Sequence, residues 1–306
     1  MNENELFSAI EKLNQEKKDV INHFQMQNSI QSFFYLLKNR KIKKTLLLMR
    51  EKIILKFVKN KTDSITRVPD IFFNNSADYK KKKIAVYTCI VGDYDVPQEP
   101  LVKTENVDFF LFTDSLDKYK DLSSSFSIKE IPLNLQEKGC VLANRYIKFH
   151  PKVFFQNYDY AIYIDGNVRI ISDIRPLVNC CTSATGLAMH WHRFRQCVYE
   201  EARLCVLLRK GKKKLIKDQM KKYRKEGLPE KYGLNEANMI VSDLNNEISC
   251  RLLDLWWNEF VRSGSMRDQL AWPYILWKNG FSIKDVGFLG KDICQNSKLE
   301  VMNHVI

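Results

Sequence analysis

The sequence predicts an α/β domain with a mostly parallel central sheet over residues 81–306, preceded by a basic helical region and linker over residues 1–80. Three observations carry this. Short runs rich in Val, Ile, Phe and Tyr alternate with longer segments of helical period, the pattern of a parallel sheet covered by helices. Several of those runs end in polar clusters, as strands do where an open sheet meets its ligand. Residues 1–62 contain neither Gly nor Pro.

The amino-terminal region carries one helical stripe through Leu6, Ile10, Leu13, Val20, Ile21 and Phe24, and a second through Leu46, Met49, Ile53 and Phe57. The second stripe is flanked by Lys38, Arg40, Lys41, Lys43, Lys44, Arg50, Lys52, Lys56 and Lys59. Such a helix would either lie on an anionic membrane surface or pack as a solvated pair on another surface. From Asp63 to Lys83 the signals become those of a loop.

Beyond the loop, Lys83 to Val91 reads as a buried strand followed by Gly92-Asp93-Tyr94-Asp95. Val107 to Asp114 is a second strand ending in a carboxylate, and Ser125 to Pro132 a shorter third. Gln136 to Phe149 reads as a helix stopped by Pro151. Tyr160 to Ile164 is an apolar strand that delivers Asp165 into a turn at Gly166, and Val168 to Ile171 leaves it. Ala184 to His192 is a further strand. The rest is more helical: Phe194 to Lys225, broken near Gly211, then Leu252 to Val261 and Gln269 to Lys278.

Composition bounds the function. The chain has 49 Lys+Arg against 36 Asp+Glu, a formal charge of +13, which favours anionic partners. No zinc-finger spacing, helix-turn-helix or RNP signature is present, so nucleic acid is not an expected partner. GxGxxG and GxxxxGK[ST] are absent too. The eight cysteines show no CxxC, and the polar amino terminus has no apolar leader segment. A reducing, cytoplasmic location is the default expectation.

Three strand ends gather chemistry: Thr88 with Asp93 and Tyr94, Thr113 with Asp114, and Asp165 with Asn167. In a parallel sheet these ends converge on one crevice. Asp165 and Asn167 offer two oxygen ligands suited to a divalent cation, Mn²⁺ or Mg²⁺, or else simply shape a turn. Arg145 and Lys148 share a helical face and would neutralise a diphosphate there, or stand as solvated charges. Strand alternation places His190 and His192 on one face, where one of them would serve a substrate. Glu200 and Glu201 would contact a sugar hydroxyl or act as a base, or pair with Arg203 and the following lysines. Asp268, before Gln269, is an N-cap or a substrate-binding carboxylate.

At these motifs, KIAVYTCIVGDYD, FFLFTD, NRYIKFHP, YAIYIDGNVRI, MHWHRFRQCVYEEA, GLNEANMIV and WWNEF...RDQLAWPY, the chain resembles the glycosyltransferase-like family first catalogued as domain of unknown function 616. The resemblance covers roughly residues 83–290. It implies a GT-A-like nucleotide-diphospho-sugar transferase fold, with bacterial relatives near capsule enzymes and plant relatives linked to cell-wall polysaccharides. Carried over, Thr88 and Tyr94 would line the nucleoside pocket and Asp114 would approach the base or ribose. Arg145 and Lys148 would steady the diphosphate, and Asp165 would hold the metal or donor sugar. His190, Arg193, Glu200 and Glu201 would face donor sugar or acceptor, with Asp268 and Gln269 near the reacting centre. The third position of the expected DxD motif is Asn167, which weakens the cation site by one charge; the alternative is a metal-independent member that uses Arg145 and Lys148.

The expected activity is therefore transfer of a sugar from a nucleotide-sugar donor to a surface polysaccharide or lipid-linked glycan, at the cytoplasmic face of the inner membrane. The alternative is a non-catalytic nucleotide-sugar or glycan-binding protein within a polysaccharide assembly.

Overall fold

The computed structural model describes residues 77–302; the expected amino-terminal helices lie outside the described residues. Seven strands form one sheet in the order β3-β2-β1-β4-β7-β6-β8. Their ranges are β1 Ile84–Ile90, β2 Val107–Thr113, β3 Ser127–Glu130, β4 Tyr160–Ile164, β6 Leu187–Trp191, β7 Asn235–Asp243 and β8 Gly287–Phe288. Strands β3, β2, β1 and β4 run parallel, β7 runs against β4 and β6, and β8 is parallel to β6. A mixed α/β fold with a mainly parallel central sheet is thus present, as the strand–helix alternation predicts. A second, two-stranded sheet pairs β5, Val168–Ile170, with β9, Leu299–Val301.

The helices are α1 Leu133–Gln136, α2 Cys140–Phe149, α3 Pro151–Phe154, α4 Val198–Leu207, α5 Lys213–Glu226, α6 Glu247–Ser263 and α7 Trp272–Lys278. The helix expected from Gln136 begins only at Cys140. Gly139, at φ +93°, turns the chain between the single turn α1 and α2. The expected break near Gly211 separates α4 from α5. Asn246 caps α6, its side-chain oxygen accepting from the backbone of Ile248 and Ser249.

Every residue of β1 is buried, because the sheet is covered on both faces. One face packs Tyr87, Phe112 and Tyr163 against residues of α2, α4, α5, α6 and α7. The other packs Ile84, Val86 and Ile162 against Tyr119, Phe126, Ile174, Leu177 and the β9 residue Leu299. Within the first core Trp256 and Trp272 stack with ring centroids 4.4 Å apart, both fully buried. Burying a large apolar side chain is worth roughly 1.5–3 kcal/mol, so this pair anchors α6 to α7.

Strand β7 has no counterpart among the sequence expectations. Its first half, Asn235–Asn238, is polar, and only Met239–Ser242 is a buried run. That half-polar strand enters the sheet centre antiparallel and brings its polar start to the edge where β1, β4 and β6 end.

Candidate functional site

Asp165 stands at the carboxyl end of β4, half-buried. Its backbone N–H donates to the Asn238 carbonyl of β7 (2.9 Å), and Val168 N–H closes the turn onto its carbonyl (3.0 Å). The Tyr163 hydroxyl, two residues back on the same strand face, donates to Asp165 Oδ1 at 2.9 Å. Gly166 is needed for close approach: a Cβ there would meet Ile90 Cδ1 at 3.0 Å and Asp95 Cβ at 3.2 Å.

Beneath this corner lies an ion cluster. Helix α2 supplies Arg145 and Lys148 from one face, and the turn Asp268–Leu270 supplies Asp268. Lys148 Nζ donates to Asp268 Oδ2 at 2.8 Å and sits 4.8 Å above the Tyr163 ring. Arg145 Nε also lies 2.8 Å from Asp268 Oδ2, an ion pair without hydrogen-bond alignment. Burial alone would raise the Asp268 carboxyl, but Arg145 and Lys148 carry it well below the usual range. Burial lowers the Lys148 ammonium against the pull of Asp268. Burial also disfavours the Arg145 charge, yet Asp268, Tyr163 and Asp165 together raise it. Two cations against one enclosed carboxylate leave a single surplus positive charge below Asp165.

Asp268 is held further by its backbone: its carbonyl accepts from Trp256 Nε1 (2.8 Å), and its Oδ1 from Gln269 N–H (3.0 Å). Gln269 Nε2 donates to the Asn235 carbonyl at 2.8 Å, and Trp272 Nε1 to Asn235 Oδ1 at 2.9 Å. The start of β7 is thereby fixed to the ion cluster.

A second polar cluster adjoins through Asn238. Glu236 Oε1 accepts from Arg193 N–H (3.3 Å) and Oε2 from Asn238 Nδ2 (3.2 Å). Burial and Asp292 raise the Glu236 carboxyl above its ordinary value, against His192 and the Arg193 N–H. Arg193 Nε pairs with Asp292 Oδ2 at 2.8 Å. Asn238 Oδ1 is buried with no hydrogen-bond partner. A carboxyl raised above its ordinary value and an unmet acceptor therefore lie on the segment of β7 whose Asn238 carbonyl bonds Asp165, a composition suited to hydroxyl chemistry. Sequence reasoning missed Glu236, Asn238 and Asp292; the one available signal was the acidic and amide cluster of Asn235-Glu236-Ala237-Asn238 before an apolar run.

A third cluster closes the β1 end. Gly92 N–H donates to Asp114 Oδ2 at 2.9 Å, and Asp93 pairs with Lys118 at 2.6 Å. Asn144 of α2 donates to the Cys89 carbonyl at 2.6 Å. Tyr94 is well exposed beside this turn, at 59%.

Several expected contacts meet a different geometry. Lys148 and Asp268 are enclosed and bound to each other, so neither presents its charge to a ligand. His190 is wholly buried; its Nε2 lies 3.1 Å from Asn296 Nδ2, and burial pushes it down to about 3. Strand β6 ends at Trp191, so His192 lies beyond the regular alternation that would have set it beside His190. Glu201 turns inward to Arg195 (2.5 Å) and His192 (3.5 Å), while Glu200 is exposed on the first turn of α4. Thr88 is 3% exposed, its hydroxyl enclosed and unpartnered rather than lining an open pocket. Asp114 braces the Gly92 turn.

The residues expected to hold the cation are partly engaged within the fold, leaving Asp165 Oδ2 and Asn167 Oδ1 as the oxygens that would hold it. Asn167 is 8% exposed, and its Nδ2 donates to the Met302 carbonyl at 2.9 Å while Met302 N–H returns a bond to the Asn167 carbonyl at 2.8 Å. Asp165 Oδ1 is already taken by Tyr163. Among the described residues no group of three or more His, Cys, Asp or Glu gathers as ligands.

The described cysteines are unpaired thiols, and no described helix is long and apolar enough to cross a membrane.

Among solved structures, mouse xyloside xylosyltransferase 1 in its apo form is similar with a TM-score of 0.41 and 9% identity, over 67% of this chain and 83% of that one. The apo WbbM bifunctional glycosyltransferase gives 0.40 and 14%, over 68% of this chain. This chain spans only 39% of that one's length. No curated protein matches. The family model described as TOD1/MUCI70, glycosyltransferase-like domain, matches residues 14–297, so it reaches into the amino-terminal region that the motif resemblance left out. With most of its length matched, the chain belongs to the TOD1/MUCI70 glycosyltransferase-like domain family.

Proposed function

We propose that this chain is a glycosyltransferase that moves a sugar from a nucleotide-diphosphate donor to a glycan or lipid-linked acceptor. The observation that carries the reading is the half-open Asp165 carboxylate, held by Tyr163 over a buried cluster with one surplus positive charge. Family membership supports the reaction class.

In this reading Asp165 accepts from a donor-sugar hydroxyl through Oδ2. Arg145, the less enclosed of the two cations, faces the departing diphosphate, while Lys148 offsets Asp268 beneath it. The preset positive field stabilises the negative charge that grows on the diphosphate as the glycosidic bond breaks. The acceptor hydroxyl forms the new bond to the anomeric carbon, and Glu236 takes its proton. No step is assigned to a divalent cation; Asp165 Oδ2 and Asn167 Oδ1 would hold one, with one negative charge fewer than a pair of carboxylates.

Thermal-shift screening of nucleotide sugars, followed by product analysis with Asp165→Ala alongside, tests the assignment. Turnover by the wild type with loss in the variant is expected. Binding without turnover across donors and acceptors would instead favour a nucleotide-sugar-binding protein.

A further inference from the structure

Helices α4 and α5 enclose a groove of about 400 Å³ that belongs to none of the clusters above. Its floor is apolar: Ala202 and Val206 from α4, Ile216 and Met220 from α5. Leu207, 46% exposed, stands at its mouth. Three exposed cations ring the opening: Arg203, Lys217 and Arg224. Arg224 stacks 4.1 Å over the Tyr199 ring, and its nearest carboxylate, Glu230, is 3.9 Å away. Glu201, on α4 with Arg203, is turned away to Arg195.

An apolar slot of this volume is within the range of small-ligand sites. What distinguishes it is the charge at its mouth. Helix α5 carries seven Lys or Arg, at 213, 214, 217, 221, 222, 224 and 225, against Asp218 and Glu226. A second copy of this +13 chain would meet that surface with repulsion. The complementary occupant is one with an alkyl chain for the floor and a phosphate for the ring of cations. Long cationic side chains pack their stems on such chains and hold the head group.

We infer that the α4–α5 groove binds a phosphate-headed lipid of an anionic membrane surface, its chain on Ala202, Val206, Ile216 and Met220 and its phosphate on Arg203, Lys217 and Arg224. The inference stands apart from the transferase assignment, since the groove shares no residue with Asp165, Arg145 or Glu236.

The test is co-sedimentation of the full chain with vesicles of phosphatidylcholine alone or with phosphatidylglycerol added. Arg203→Glu with Lys217→Glu alters the groove, and Lys221→Glu with Lys225→Glu changes the net charge of the chain equally while sparing the groove. The groove pair is expected to weaken binding to the anionic vesicles at least about tenfold, and the sparing pair by less than about threefold. Dodecyl phosphate should compete with the vesicles and inorganic phosphate should not. Thermal melts confirm that both pairs fold. Equal loss from the two pairs would mean a diffuse charge effect and overturn the inference. So would unchanged binding in the groove pair, competition by inorganic phosphate, or an acidic helical peptide occupying the groove while dodecyl phosphate fails.

Discussion

Lys148 Nζ lies 2.8 Å from Asp268 Oδ2, and neither side chain exposes more than 6% of its surface. The two residues are far apart in sequence, and their pairing joins α2 to the turn before α7. It places a fixed charge where the sheet edge opens, and its integrity governs both stability and the field at Asp165.

Asp268→Asn leaves Arg145 and Lys148 without their shared counter-charge. Urea unfolding should show a loss of about 3–5 kcal/mol. Adding Lys148→Met to Asp268→Asn should restore part of it, with a coupling of about 1–3 kcal/mol in the double-mutant cycle. Additive losses would show that the pair is not energetically linked.

Glu236→Gln keeps the shape that receives the Arg193 N–H but removes the proton acceptor. We expect kcat to fall by about 10²–10⁴-fold with donor affinity nearly unchanged. Because burial and Asp292 raise this carboxyl, the wild-type kcat should rise with pH through a limb placed above the ordinary glutamate range. The limb should vanish in the variant's residual activity. A persistent limb would assign it to another group.

Chelation separates the cation expectation from the geometry. With a neutral amide at position 167 in place of a second carboxylate, donor turnover should survive EDTA with less than about a threefold change, since the charge on the diphosphate is met by Arg145. Turnover abolished by EDTA and restored by Mn²⁺ would return the cation to the mechanism.

Glu201 gives a stability signature at acid pH. Burial opposes its charge, but His192 and Arg195 hold it down to about 2, below the ordinary 4.5. The folded state thus binds fewer protons than the unfolded one between these values. Its contribution is complete above about pH 4.5 and is lost as pH falls toward 2, on the order of 3 kcal/mol. Glu201→Gln should lower the unfolding midpoint at pH 7 and narrow that gap steadily below pH 4.5. A gap independent of pH would show that the ion pairs are not its cause.

The sheet was legible where both faces are buried. β1 and β4 are near-continuous apolar runs, as is β2 from Phe109 onward, and their parallel course puts their polar ends on one edge. β7 was not legible, because its polar first half lacks strand periodicity until β4 and β6 flank it. The same gap hid Glu236 and Asn238, whose chemistry depends on the position of that antiparallel strand. Arg145 and Lys148 were visible as neighbours on one helical face, yet nothing local to the helix reveals that Asp268 neutralises Lys148 from 120 residues away. His190 and His192 show the converse failure: alternation is a rule for regular strands, and β6 ends at Trp191, one residue before His192.

Asn167 and Met302 exchange two hydrogen bonds, and β5 and β9 continue the pairing. The closing strand therefore works as a clasp on the bend that carries Asp165. Anything that tugs residues 299–302 loose, a bulky fusion or a bound protein, would slacken that bend and blunt turnover without touching a reacting group.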